Sequence, residues 1–205
     1  MKKSQSGLSL VVVMSMLGII LLLSVITAKV SLLGEKSARN DRDRQIAYQA
    51  AEAALADAEL DIFGPNTAAN NRCKIYSDDL KGLFDSGCSA TAASRGFCTS
   101  DVGKVGTSYA TVNFEDFNNT TRVPAVLGEF TGRSANFPVG ANGLSAQLPR
   151  YVVELVPHRA ILSNGTTVEK KAFLITAVGY GPSIETKVML QATIFKPQPN
   201  SNPGC

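Results

Sequence analysis

The chain has 205 residues, room for one ordinary domain and an additional segment. Apolar residues make up 44% and charged residues 18% of it, which excludes a wholly disordered chain, and a single long apolar run excludes a polytopic membrane protein. The net charge is 20 − 17 = +3, and Lys2 and Lys3 precede the apolar run, so the remainder makes no electrostatic case for nucleic acid as a main partner. One histidine, His158, supplies His-based triads and metal sites thinly.

The apolar run, Leu8 to Ala28, holds no charged residue. As a helix it spans roughly 32 Å, close to the bilayer core. With Lys2 and Lys3 before it, the positive-inside rule places the N-terminus in the cytoplasm and everything after Lys29 outside. A removable secretory signal fits less well. Its apolar region would be shorter, and Ala28-Lys29-Val30-Ser31 makes a poor cleavage site.

Residues 30–62 contain no proline, and strong helix formers dominate their second half. Ala47, Ala51, Ala54, Leu55, Ala58 and Ile62 recur at spacings of three and four, an amphipathic stripe. Gly64-Pro65 is a stop signal. One helix is therefore expected from Leu8 to Phe63, about 84 Å if unbroken, with Gly18 and Gly34 as its weak points. Its transmembrane half covers 8–35 and its amphipathic half 36–63. The cluster Arg39, Asp41, Arg42, Asp43 and Arg44 reads as a solvated turn; the alternative is pairing with neighbouring subunits or lipid head groups.

Residues 64–205 then form an α+β head. The part from 66 to 107 is loop-like, with a short helix expected near Asp78 to Phe84. Strand-like runs follow: a weak one at Ser108–Phe114, then Arg150–Val156, Ala172–Tyr180 and Thr186–Phe195. Asn164-Gly165 and Gly181-Pro182-Ser183 mark turns, so the last three runs predict an antiparallel meander with one face on the helix stripe. The tail, Lys196 to Cys205, has three prolines and cannot continue a central strand.

All four cysteines, Cys73, Cys88, Cys98 and Cys205, follow the apolar run. In an oxidising compartment they read as two disulfides, with three pairings open. Without C-x-x-C or a neighbouring histidine, zinc is disfavoured. No catalytic motif emerges. Gly179-Tyr180-Gly181 is too short for a nucleotide loop and reads as a strand end. Asp78-Asp79 and Glu115-Asp116 read as solvated pairs, with calcium the alternative, and His158 reads as a surface-loop residue. No catalytic residue, metal or cofactor is expected.

A Lys-bearing leader that ends in Gly7 and meets the apolar run at Leu8 resembles the class III signal of type IV pilins and type II secretion pseudopilins. The resemblance implies a leader at 1–7, cleavage after Gly7 by prepilin peptidase, N-methylation of Leu8, and a helix that becomes filament core. Asp43-Arg44-Gln45-Ile46-Ala47-Tyr48-Gln49-Ala50-Ala51-Glu52-Ala53-Ala54-Leu55 is similar to a stretch of the PilX-type minor pilins. So are Pro149–Glu154, Phe173–Gly179 and Val188–Thr193, whereas residues 66–148 match loosely. Gly96-Phe97-Cys98 resembles a segment of these relatives close behind another cysteine, which implies Cys88–Cys98 and leaves Cys73–Cys205.

One departure stands out. The family's major pilins carry a glutamate at the fifth mature position, where this chain has Val12. The resemblance implies a minor pilin that initiates type IV pilus assembly and caps the tip, as the tip pseudopilin K does in type II secretion. Its partners would be other minor pilins, the major pilin, prepilin peptidase, the inner-membrane assembly platform and a tip adhesin. Its place would be the bacterial inner membrane, head in the periplasm, and then the pilus tip. The rival readings are a pseudopilus-tip subunit, a tip binding or adhesion module, and an anchored periplasmic enzyme, for which the polar constellation is missing.

Overall fold

Helix α1 spans Leu8–Phe63 in a computed structural model that describes residues 8–65, 68–70, 72, 84–86, 88, 91, 93–99, 108–140, 144–161 and 165–195. Without proline to break it, the helix continues through Gly18 and Gly34. It ends where Gly64 takes a φ of 71° and its N–H donates to the Leu60 carbonyl at 2.8 Å. That left-handed cap suits a residue without a Cβ. The chain divides into two compact units, Met1–Arg42 and Asp43–Cys205. The described residues of the first unit are all helix.

The second unit holds the rest of α1 and a sheet. Its strands are β1 (Asp85–Ser86), β2 (Phe97–Thr99), β3 (Ala125–Val126), β4 (Arg150–Ile161), β5 (Thr167–Tyr180) and β6 (Lys187–Phe195). The sheet order is β1-β2-β4-β5-β6, with β3 paired to the start of β4. The expected meander β4-β5-β6 is there and antiparallel. Three short strands extend it, and β1-β2 and β2-β4 are parallel, so the sheet is mixed.

Other expectations change. Ser108–Thr111 forms a 3₁₀ turn with no buried residue, so the weak alternation there has no face to serve. β4 runs past Val156 through Pro157 and His158, which places His158 opposite Lys170 inside a strand rather than on a loop. The short helix near Asp78 to Phe84 lies outside the described residues apart from Phe84, which stacks on Phe97 with ring centroids 4.7 Å apart.

Alternation along the strands makes two cores. On one face Tyr151, Val153, Phe173, Ile175 and Ala177 meet Ala54, Ala58 and Ile62 of α1. On the other, Val152, Val178 and Tyr180 lie under Cys88, Cys98 and Phe114. The helix seam is small: Ala47, Ala50, Ala51, Ala54 and Ala58 are all fully buried. At Gly179 the seam is backbone on backbone. A Cβ built there would lie 2.1 Å from the Ala47 carbonyl oxygen and 2.2 Å from the Ala51 nitrogen. At Gly181 it would lie 2.8 Å from the Asp43 carbonyl oxygen.

A methyl at Gly179 must therefore lift the helix or bend the strand. We expect Gly179→Ala to lower stability by about 3 kcal/mol or more, the upper part of the overpacking range. Chemical denaturation of the detergent-solubilised protein measures it. A Gly179→Ala protein as stable as wild type would show that the seam yields freely.

Candidate functional site

The first candidate is the apolar half of α1. From Leu10 to Leu33 its large apolar side chains are exposed, Val12 among them. This is the segment among the described residues that is long and apolar enough to cross a membrane. Three of its hydroxyls are satisfied within the helix: Ser15, Ser24 and Thr27 donate to the carbonyls of Val12, Ile20 and Leu23 at 2.8, 2.8 and 2.5 Å. Leu8 is the first residue of α1, and Gly7 lies outside the described residues. Further along, Arg39 pairs with Glu35 at 2.6 Å on an exposed face. Asp41, Arg42 and Arg44 are exposed as well.

The head shows what sequence periodicity missed. Asp57 and Asp61 sit in phase with the alanine stripe and are buried. Asp61 takes a two-pronged ion pair from Arg72, whose Nε lies 3.0 Å from Oδ1, and a hydrogen bond from the Tyr151 hydroxyl at 2.9 Å. The Arg72 guanidinium lies between the Phe97 and Phe130 rings, 3.7 and 3.4 Å from their centroids. Burial, with the Asp61 charge second, holds the Tyr151 hydroxyl far above its ordinary value, so it stays protonated and donating. Asp57 accepts from the Gly128 N–H at 2.8 Å and from the Thr131 hydroxyl. Burial raises its pKa against those hydrogen bonds.

A second network fixes the loops. Glu129 bridges Arg95 at 2.7 Å and Arg122 at 2.8 Å and accepts the Val126 N–H at 3.1 Å. Burial pushes its pKa up, but the Arg122 hydrogen bond, the Val126 N–H and the two guanidinium charges outweigh it, and the net shift is downward. Arg150 donates to the carbonyls of Phe114 and Asp116 and stacks over Phe117, 4.3 Å from its centroid. The Tyr180 hydroxyl donates to the same Phe114 carbonyl at 2.6 Å, and burial pushes its pKa to about 12.

Cys88 and Cys98 are bonded to each other and lie beneath the second face of the sheet. Cys73 and Cys205 lie outside the described residues, as do Asp78 and Asp79. Glu115 pairs with Lys187, and the Asp116 carboxylate accepts the Asn118 N–H and the Thr121 hydroxyl, so these neighbours serve loop structure. Among the described residues no group of three His, Cys, Asp or Glu side chains converges as a metal site would require. Among the described residues the buried charges pair with one another and with backbone, which fixes loops.

Two family profiles match the chain: the PilX N-terminal segment over residues 6–56, and the C-terminal part of the type IV pilus assembly protein PilX over residues 81–196. No curated protein and no solved structure gives a match. A long N-terminal helix with an exposed apolar half and an alanine seam against a disulfide-bonded α+β head defines a pilin-like, membrane-anchored subunit. The chain belongs to the PilX family of type IV pilus assembly proteins, a family of minor pilins that are structural components of the pilus.

Two outcomes test the networks. Arg72→Ala leaves Asp61 buried without its cation and should cost about 3–5 kcal/mol. A double-mutant cycle with Asp61→Asn should recover part of that loss, and strict additivity would refute the coupling. Acid should act through Glu129. Its pKa is lowered on folding, so its stabilisation is present above the unfolded value and fades as pH falls through the folded one. Asp57 works with the opposite sign, since a raised pKa makes its protonation on acidification favour the folded state. Glu129→Gln should be less stable at neutral pH yet lose less between roughly pH 5 and pH 3. Parallel acid limbs for the two proteins would refute this assignment.

Proposed function

We propose that this minor pilin takes part in initiating type IV pilus assembly and caps the pilus tip together with other minor pilins. The observation that carries the reading is Val12. It is an exposed apolar residue on a helix whose run from Leu8 to Ala28 holds no carboxylate. The resemblance to pilins implies that the glutamate missing here neutralises the terminal amine of a neighbouring subunit inside the shaft, and an unpaired buried charge costs several kcal/mol. A subunit that supplies no carboxylate fails as a shaft repeat. At the top of the filament, no subunit above it requires one.

The leader 1–7 would be removed after Gly7 by prepilin peptidase and Leu8 N-methylated. The charge asymmetry of Lys2 and Lys3 favours a cytoplasmic N-terminus and a periplasmic head in the inner membrane before assembly. The other minor pilins, the major pilin and the assembly platform are its partners in this reading. We read it as a structural subunit rather than an enzyme. Cys73 and Cys205 complete the disulfide set as the second pair. A tip adhesin or ligand would meet the head's loop region, and a place at a type II secretion pseudopilus tip is the rival reading.

Mass spectrometry of the native protein should show loss of residues 1–7 and a methylated Leu8; an N-terminus near Val30 would sink the proposal. Deleting the gene should reduce pilus number steeply while the major subunit's level stays near normal. Immunogold label on sheared filaments should sit at one end. Val12→Glu should let some copies enter the shaft. If that label stays at the tip, the missing carboxylate is not what confines the protein.

A further inference from the structure

Between the 3₁₀ turn at Ser108–Thr111 and β3 runs a polar loop that contains Asp116-Phe117-Asn118-Asn119-Thr120-Thr121. Asn118-Asn119-Thr120 and Asn119-Thr120-Thr121 each fit N-x-[ST], the acceptor pattern for an N-linked glycan, and Asn164-Gly165-Thr166 is a further match. The pattern alone does not choose among them; the side chains do.

Phe114 and Phe117 hold this loop against the sheet, on the face away from α1, beside Val178 and Tyr180. After them the chain turns outward, and Asn118, Asn119, Thr120 and Thr121 are all exposed. Asn118 is fixed by its backbone. Its N–H donates to Asp116 Oδ1 at 3.0 Å, and its carbonyl accepts the N–H of buried Arg122 at 3.0 Å. Its amide is oriented by the third residue of its own pattern: Oδ1 accepts the Thr120 N–H at 3.0 Å and the Thr120 hydroxyl at 2.7 Å. With the oxygen facing those two donors, Nδ2 faces away, and among the described residues it has no partner. Two proton donors on Oδ1 draw charge to the oxygen, so an Nδ2 proton becomes easier to remove.

Asn119 is arranged otherwise. Its Oδ1 accepts from Arg122 Nε at 3.2 Å, and its carbonyl accepts from the Arg95 guanidinium at 3.0 Å. The hydroxyl that its pattern supplies, that of Thr121, goes to Asp116 Oδ2 at 2.8 Å instead. Its amide is tied into the loop, whereas that of Asn118 presents a free nitrogen. Asn164 lies outside the described residues.

We propose that Asn118 is an N-glycosylation site, modified on the periplasmic side by transfer of an oligosaccharide from a lipid-linked diphosphate carrier. The bond from Nδ2 to C1 of the first sugar forms as the C1–O bond to the diphosphate breaks. The diphosphate leaves with the electron pair, and one Nδ2 proton passes to a base of the transferring enzyme. The attached glycan would leave the head on the face opposite the alanine seam, so the packing of α1 on β5 is undisturbed. The proposal rests on the periplasmic head of the reading above.

Peptide mapping by mass spectrometry of the full-length protein, purified from the membranes of its own cells, tests this. The peptide that holds Asn118 should carry sugar mass, and fragmentation should leave the first sugar on that residue. Asn118→Gln and Thr120→Ala each keep the Asn119 pattern intact, and each should lose the glycan from this peptide completely. Thr120→Ser, which restores the hydroxyl, and Asn119→Gln should retain it. A bare Asn118 in the native protein, or sugar that persists on this peptide in Asn118→Gln, would overturn the proposal. Protease added to spheroplasts separates it from the reading beneath. A head that is digested from outside while Asn118 is bare refutes glycosylation alone, whereas a head protected until the membrane is lysed refutes the periplasmic placement.

Discussion

The contact between the α1 backbone and β5 at Gly179 constrains everything else in the head. Helix and strand come so close there that no Cβ fits between them. The five fully buried alanines along the helix keep that approach even over several turns. Such a seam gains dispersion contact with almost no side-chain entropy to lose on folding. Its cost is tolerance, because neither partner can give way by rotating a side chain. Larger residues enter the same core further along, Ile62 of the helix with Phe173 of β5 and the aromatics Phe84, Phe97 and Phe130.

The close seam also explains why carboxylates are buried on the helix. With α1 this near the sheet, Asp57 and Asp61 reach the loops that cross the end of the core. Asp61 takes Arg72 and Tyr151, and Asp57 takes the backbone of the 128–131 turn. Those loops are rich in Asn, Ser, Thr and Gly and lend the cores only scattered apolar side chains, Phe114, Leu127 and Phe130 among them. Ion pairs and backbone bonds set their course, and the Cys88–Cys98 disulfide secures the opposite face. A buried salt bridge is weak evidence for net stability, since desolvation offsets much of the attraction. Its clearer effect here is selection: a chain that placed Arg72 or Glu129 elsewhere would bury charges without partners.

Much of this was legible in the sequence, for identifiable reasons. α1 is one proline-free stretch closed by Gly64-Pro65, and its alanine spacing marked the buried face. β5 and β6 announced themselves through β-branched runs and a Gly-Pro turn. What escaped was fixed by distant partners. β1, β2 and β3 are two or three residues long, too short for any period to show; β2 and β3 form on the edge that β4 offers, and β1 forms on β2. The strand expected at Arg150–Val156 stops just before Pro157. Yet the even-numbered residues of β4 face β5, and Val153 donates to Gly96 on the other side, so the N–H that Pro157 lacks would point past the end of β2. Asp57 and Asp61 were the readable clue that was missed, since two carboxylates in phase with an apolar stripe require partners.

That same rule connects the two halves of the helix. In the head, carboxylates and guanidinium groups are buried together, each bonded to the other or to backbone. In the apolar half, no charge appears between Leu8 and Ala28, and the hydroxyls of Ser15, Ser24 and Thr27 bond back to their own helix. That run therefore presents no charge to a lipid or a neighbouring apolar helix, and it equally presents no carboxylate to a neighbour's amine. Val12 matters because of that second half of the statement. A filament of identical subunits that buries a charged terminus needs an answer from the facing helix, and that requirement is what the proposed place at the tip rests on.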